Sequence, residues 1–242
     1  MFPYKNPIDI GKWLRLDEEL VLDAAEVIEL LRGQISERRR ERIDEVVSTR
    51  TCTVVPVMEG IHDFGNVAAV LRSAEGLGYQ VAHLIDDQPK KKTSRRVTQG
   101  AHKWVEMFRW TDTLSCVNYL RDAGYSIVAT DLDADITLEE VDFTRPTAMV
   151  FGNEMDGVSP EMLDAADQRC IIPIDGFVQS FNISVAAALS LYEAKRQRVE
   201  RLGEQGDLDA VQRQILRAQF YLRAVNQPRR LVPELWRRRN EA

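Results

Sequence analysis

Residues 150–160 read Val150-Phe151-Gly152-Asn153-Glu154-Met155-Asp156-Gly157-Val158-Ser159-Pro160. An apolar strand pattern that begins at Ala148 stops at Gly152. A glycine-flanked acidic loop follows. Ser159 and Pro160 then signal a helix, a cap residue followed by proline at the first helical position. Strand, loop and helix in this order form the repeating unit of α/β sheets, which bind ligands beyond the carboxyl ends of their strands.

The same alternation extends on both sides. Short apolar or β-branched runs predict strands over 53–58, 80–85, 104–110, 126–130, 148–151 and 169–174. Helical patterns lie over 66–77 ending at Gly78, 113–123 ending at Gly124, and 160–166. A long helix is expected over 183–201, a turn at 203–206, another helix over 208–225, and then an Arg-rich tail. Before the sheet region, Leu20, Ala24, Val27, Ile28 and Leu31 predict a helix over 16–31 with Gly33 as its stop. Ser36 is the expected cap of a second helix running to about Val47. The fold class is α/β with a largely parallel sheet and helices on both faces. Three segments follow: 1–50 as a helical extension, 51–201 as the sheet domain, and 202–242 as a C-terminal helix and basic tail.

The 242 residues are 44% hydrophobic and 29% charged, enough for one large domain with helical additions. No apolar run approaches the ~18 residues of a membrane span. The N-terminus lacks the apolar core of a signal peptide. Cys52, Cys116 and Cys170 are odd in number and far apart, which argues against a disulfide framework and suits a reducing cytoplasm. His62, His83 and His102 have no ligand-like spacing, so no metal is expected. Glycine fingerprints for a dinucleotide or a P-loop are absent, as is a G-x-S-x-G elbow.

The net charge of −6 speaks against a nucleic-acid partner only until its distribution is seen. Residues 111–175 carry net −11, whereas 88–110 and 195–242 carry net +6 each. Arg38, Arg39, Arg40 and Arg42 form a further basic cluster. Basic islands on an acidic body favour a polyanion partner.

Two more segments stand out. One is Ile61-His62-Asp63-Phe64-Gly65-Asn66, leading to Arg72 six residues on. The other is Ile171-Ile172-Pro173-Ile174-Asp175-Gly176-Phe177-Val178-Gln179-Ser180-Phe181-Asn182, which runs into an Ala-rich helix at Ala186-Ala187-Ala188. With 150–160 between them, and with Gly100–Val105, Asp142–Thr147 and Glu193–Arg198, this order resembles the SpoU/TrmH family of RNA ribose 2′-O-methyltransferases in the SPOUT superfamily. The resemblance covers roughly residues 36–201. Within the family it points to the tRNA guanosine-18 2′-O-methyltransferases.

The resemblance implies a parallel sheet whose C-terminal part forms a deep trefoil knot, a homodimer through the knot region, and S-adenosylmethionine as cofactor. Carried across by motif, the cofactor pocket is Thr130, Gly152, Glu154, Ile172, Ile174, Ser180, Phe181 and Asn182. The catalytic group is Arg72 and Asn66 with Glu154, Ser180 and Asn182. The RNA-binding set is Arg38, Arg39, Arg40 and Arg42, then Lys90, Lys91, Lys92, Arg95, Arg96 and Lys103, then Arg196 and Arg198. Arg72 is expected to bind RNA phosphate and stabilise the ribose alkoxide, because a guanidinium keeps its proton and cannot serve as a base. Close relatives carry Lys-Pro-His before the asparagine, where this chain has Asp63-Phe64-Gly65, and a leucine where it has Phe181. Methylation of 23S ribosomal RNA is the alternative target. A knotted RNA-binding protein without catalysis and a generic α/β nucleotide enzyme are the rivals of other classes. The intact Asn66, Arg72, Glu154 and Asn182 weigh against the first of these rivals. The missing glycine fingerprints and the basic islands weigh against the second.

Overall fold

The computed structural model of the protein describes residues 20, 22–86, 103–134 and 136–241. Its contacts divide the chain into two compact units. One comprises Thr51–Gln205. The other is built, among the described residues, from those up to Arg50 and those from Gly206 onward.

The first unit is a seven-stranded sheet in the order β3-β2-β1-β6-β4-β7-β5. Its strands are β1 (Val54–Glu59), β2 (Val81–Ile85), β3 (Glu106–Trp110), β4 (Ser126–Thr130), β5 (Ile136–Thr137), β6 (Thr147–Phe151) and β7 (Gln168–Ile171). Every pairing is parallel. Parallel sheets are covered on both faces, and β1, β2 and β6 are accordingly buried at every residue. Helices α3 (Phe64–Leu77), α4 (Thr113–Asp122), α5 (Pro160–Ala165) and α6 (Ile183–Leu202) connect and flank the strands. Helix α3 ends where Gly78 turns left-handed at φ 92°, a conformation costly for any residue with a Cβ. Helices α3 and α6 pack on each other, and the Tyr79 hydroxyl just beyond α3 donates to the Leu191 carbonyl at 2.6 Å.

In the second unit, α1 (Ala24–Arg32) packs on α7 (Ala210–Ala224) and α8 (Pro228–Asn240), and α2 (Glu37–Ser48) packs on α7. Arg50 is buried, with its guanidinium 5.7 Å from the Phe220 ring centroid. Arg217 pairs with Asp44 at 2.6 Å.

Several expected boundaries move. The first described helix begins at Ala24, where Asp23 and Glu26 form a reciprocal capping box at 2.8 and 3.1 Å. The residues expected to open it, up to 19, lie outside the described residues. Strand β7 stops at Ile171 instead of reaching Ile174, since Pro173 has no N–H to offer a ladder. The two-residue β5 has too little apolar pattern to be read from sequence. The Arg-rich tail is largely helix α8, with Pro233 in its second turn.

His83 in β2 is fully buried, stacked on Phe108 at 5.2 Å between centroids, and its Nδ1 accepts from Trp110 Nε1 at 3.0 Å. Burial lowers its pKa from 6.5 to about 3. Between these values the unfolded chain binds the proton and the folded chain does not. Stability is therefore full above the unfolded pKa and falls as pH drops toward the folded one, by about 1.4 kcal/mol per pH unit. Denaturant unfolding from pH 7 down to pH 4 is expected to show this loss. His83→Phe, although less stable overall, is expected to show a shallower slope. An unchanged slope in the variant would assign the loss to other groups.

Candidate active site

Helix α3 starts at the end of the loop after β1. Asp63 caps it, accepting from the Gly65 N–H at 2.8 Å, and this sets Asn66 in the first helical turn. Arg72 is exposed on the same helix. Six residues of α-helix place it about 9 Å along the axis and about 120° around from Asn66.

The loop after β6 is closed on itself. The Asn153 and Gly157 backbones exchange hydrogen bonds at 3.1 Å, and Asn153 Oδ1 accepts from the Met155 and Asp156 N–H groups at 2.8 Å each. Gly152 packs against this closure so tightly that a Cβ there would lie 2.0 Å from the Gly157 carbonyl carbon and oxygen. At the start of α6, Asn182 Oδ1 accepts from the Ser184 N–H at 2.9 Å and the Ser184 hydroxyl at 2.6 Å. Ser159 caps α5, accepting from the Met162 N–H at 3.1 Å.

These three places meet. Asn66 Nδ2 donates to Glu154 Oε1, and Asn182 Nδ2 donates to Asn66 Oδ1 at 3.3 Å. Both polar ends of the Asn66 amide are thus engaged by side chains distant in sequence. The amide is held in one orientation, and so is the carboxylate it contacts.

A cavity of about 390 Å³ opens beside this chain of contacts at the carboxyl ends of β4, β6 and β7. That is within the size range of small-ligand sites. Thr130, Gly152, Glu154, Ile172, Ile174, Ser180 and Phe181 all line it, so seven of the eight residues expected around the cofactor converge there. Asn182 stands outside the lining but reaches Asn66. Arg72 neither lines the cavity nor joins the Asn182–Asn66–Glu154 contacts.

The cavity wall carries Asp131, Asp133, Glu154 and Asp156 and, among the described residues, no lysine or arginine. Asp131 is partly offset by Arg169 at 3.5 Å. Asp131 and Asp133 were not among the expected site residues. Their signal was positional, since they follow Thr130 directly off the end of a strand. Cys170 also lines the cavity, and burial pushes its pKa up to about 12, so it stays a neutral thiol at physiological pH.

The expected RNA-binding residues fare unevenly. Arg38, Arg39 and Arg42 lie exposed on α2, with Arg42 contacting Glu45 at 3.0 Å. Arg40 turns its guanidinium onto the Arg32 and Ile35 carbonyls at 2.7 and 2.9 Å and so ties α2 to the end of α1. Arg196 lies between Glu193 and Glu200 at 2.8 and 2.7 Å, which offsets its charge. Arg198 is a correction. It is 2% exposed and donates to the Phe143 carbonyl at 3.2 Å, so it is a packing residue and not a surface cation. Lys103 is exposed, just before β3. Lys90, Lys91, Lys92, Arg95 and Arg96 lie outside the described residues.

Comparison with known proteins gives the family and the fold. Residues 53–192 match the SpoU rRNA Methylase family. The chain is 39% identical over 166 residues to a tRNA (guanosine(18)-2′-O)-methyltransferase of Thermus thermophilus, covering 68% of this chain and 86% of that one. The fold superposes on the A. aeolicus TrmH/SpoU tRNA modifying enzyme with a TM-score of 0.70 at 33% identity, covering 78% of this chain and 98% of that one. It also superposes on the SpoU methyltransferase AviRb of Streptomyces viridochromogenes, in complex with AdoMet, with a TM-score of 0.57 at 27% identity. Those coverages are 64% of this chain and 61% of AviRb.

Proposed function

The chain belongs to the SpoU rRNA methylase family, and from that premise we propose that it methylates a ribose 2′-hydroxyl of RNA, guanosine 18 of the tRNA D-loop, using S-adenosylmethionine. The observation that carries this reading is the cavity beside the Asn182–Asn66–Glu154 contacts, lined by the second and third motifs.

The residues present fit the cofactor. Ile172, Ile174 and Phe181 supply apolar surface for an adenine ring, and Thr130 and Ser180 supply hydroxyls. The acidic wall suits a ligand that carries both an ammonium and a sulfonium. When bound, the cofactor supplies an already activated electrophilic methyl. The chain's own work is to hold the ribose hydroxyl in line, stabilise the emerging oxyanion, and let a proton leave. Asn66 is engaged at both ends of its amide, and its role is to hold Glu154. Glu154 shapes the loop and accepts hydrogen bonds at the cavity. Arg72 binds RNA phosphate and stabilises the alkoxide, and the proton passes to water or another acceptor.

The same reading makes the protein a cytoplasmic homodimer with its active site beside the subunit interface. Exposed Val185, Leu189 and Tyr192 support this, because their spacing forms one apolar stripe on α6. A knotted C-terminal segment is supported by the topology. Strand β7 enters between β4 and β5, and α6 then returns to pack on α3. Arg38, Arg39 and Arg42 on α2 are the RNA-facing cations, together with Lys103.

The deciding experiment transfers labelled methyl from S-adenosylmethionine to total RNA and maps the product. Label at guanosine 18 of tRNA is the expected result. Label confined to ribosomal RNA would replace the proposed target, and no label in any RNA would remove the catalytic reading.

A further inference from the structure

Glu59 ends strand β1 with its side chain in the interior, 6% exposed. A carboxylate held there needs donors, and three converge on it. Its Oε1 accepts from the Thr113 hydroxyl at 2.7 Å and the Ser159 hydroxyl at 2.8 Å, and its Oε2 accepts from the Ser159 N–H at 2.9 Å. Thr113 is the first residue of α4, and Ser159 is the cap of α5. Glu59 therefore joins three elements that the sequence keeps far apart.

Ser159 is also where the cavity loop ends. The loop leaves β6 at Phe151, which is locked in the sheet, and returns to Ser159, which is locked on Glu59. Between these two anchors lie the tight Gly152–Gly157 contact and Glu154, the carboxylate that meets Asn66. A shift of Ser159 moves the far anchor of the loop, and displacements near 1 Å at a binding site can cost about two orders of magnitude in rate.

We propose that Glu59 is a positioning residue for the cofactor loop: by fixing Ser159 it holds Glu154 and the loop wall of the cavity in the arrangement that binds S-adenosylmethionine. This rests on the functional reading above and adds a residue outside the three motifs. The carboxyl group of Glu59 matters because its two oxygens serve three donors. A glutamine offers a single acceptor oxygen and leaves at least one donor without its partner.

The test is calorimetric titration of the full chain with S-adenosylmethionine, alongside thermal melting and the KM for tRNA. In Glu59→Gln the cofactor Kd is expected to rise about 10-fold or more, with the KM for tRNA within about twofold of the parent. Ser159→Ala loses one donor and the α5 cap and is expected to raise Kd about threefold. Thr113→Val loses only the α4 side of the network. It is expected to lower the melting temperature while leaving Kd within about twofold. A purely structural Glu59 would make Kd track the melting temperature across the series, and Glu59→Gln and Thr113→Val would then bind alike; that result overturns the proposal. If Glu59→Gln does not fold, the contrast between Ser159→Ala and Thr113→Val decides by the same criterion. A parent protein that binds no S-adenosylmethionine overturns the functional reading and this proposal with it, whereas equal binding by parent and Glu59→Gln overturns the proposal alone.

Discussion

Arg72→Ala is expected to slow methyl transfer by about 10²–10³-fold while leaving S-adenosylmethionine affinity within about twofold. The two halves of this expectation have separate grounds. Arg72 is exposed on α3 and lies outside the cavity lining, so its truncation opens no hole in the core and removes no wall of the cofactor site. Exposed helix positions of this kind change stability by only about 0.5 kcal/mol. The reacting hydroxyl, in contrast, becomes an anion as the methyl leaves sulfur, and a fixed cation is the group best suited to stabilise it. Removing one such donor typically costs about two to three orders of magnitude. Arg72→Lys should recover only part of the loss, because an ammonium keeps the charge but not the planar fork that grips a phosphate. Single-turnover rates at saturating cofactor, set beside calorimetric affinities, read the two halves independently. Near-normal turnover in Arg72→Ala would remove this residue from the reacting centre.

Gly152→Ala is the second change with a large expected effect. A Cβ at this position would sit 2.0 Å from the Gly157 carbonyl and 2.1 Å from the Val158 nitrogen. All of these are backbone atoms, pinned by the Asn153–Gly157 hydrogen bonds, so no flexible side chain can swing away. The loop must open to admit the methyl. Cofactor affinity is then expected to fall by about 100-fold, and turnover with it, while the sheet signal in circular dichroism persists because β6 ends before the clash. Gly157→Ala is the control. Its φ of 71° strains an alanine, but a Cβ there meets nothing within 4 Å. It should cost about 1–2 kcal/mol of local stability and a smaller share of cofactor affinity. Cofactor affinity in Gly152→Ala within about threefold of the parent would show that this loop is not a wall of the binding site.

Much of the fold was open to reading from the residues because its signals are local. Strand β4 at 126–130 and the start of α6 at Ile183 fall where apolar pattern and cap residues put them. Each of those signals is complete within a few residues. Of the helix expected over 16–31, the described part begins at Ala24, where Asp23 with Glu26 forms a capping box, and residues 16–19 and 21 lie outside the described residues. The cofactor pocket was legible through its motifs, because the loop backbones that form it are fixed by glycine and cap residues close in sequence. Arg198 was misplaced because the family motif puts a basic residue at this helix position without fixing which way its side chain faces. Only the packing of α6 against the Phe143 segment shows that this one points inward.

The sequence by itself determined the alternation of strands and helices, the places where loops leave the sheet, and the separation of an acidic sheet domain from basic islands. These depend on the period of apolar residues, on caps and glycines, and on formal charge, all of which act over short stretches of chain. Tertiary structure alone decided the strand order β3-β2-β1-β6-β4-β7-β5 and the joining of both chain ends into one helical unit. It alone brought Asn66 to Glu154 and Asn182, and Glu59 to Ser159. Those contacts span 88 to 116 residues, and no local propensity encodes them. They exist because the parallel sheet, with both faces buried, sets the carboxyl ends of its central strands, and the polar groups that follow them, side by side.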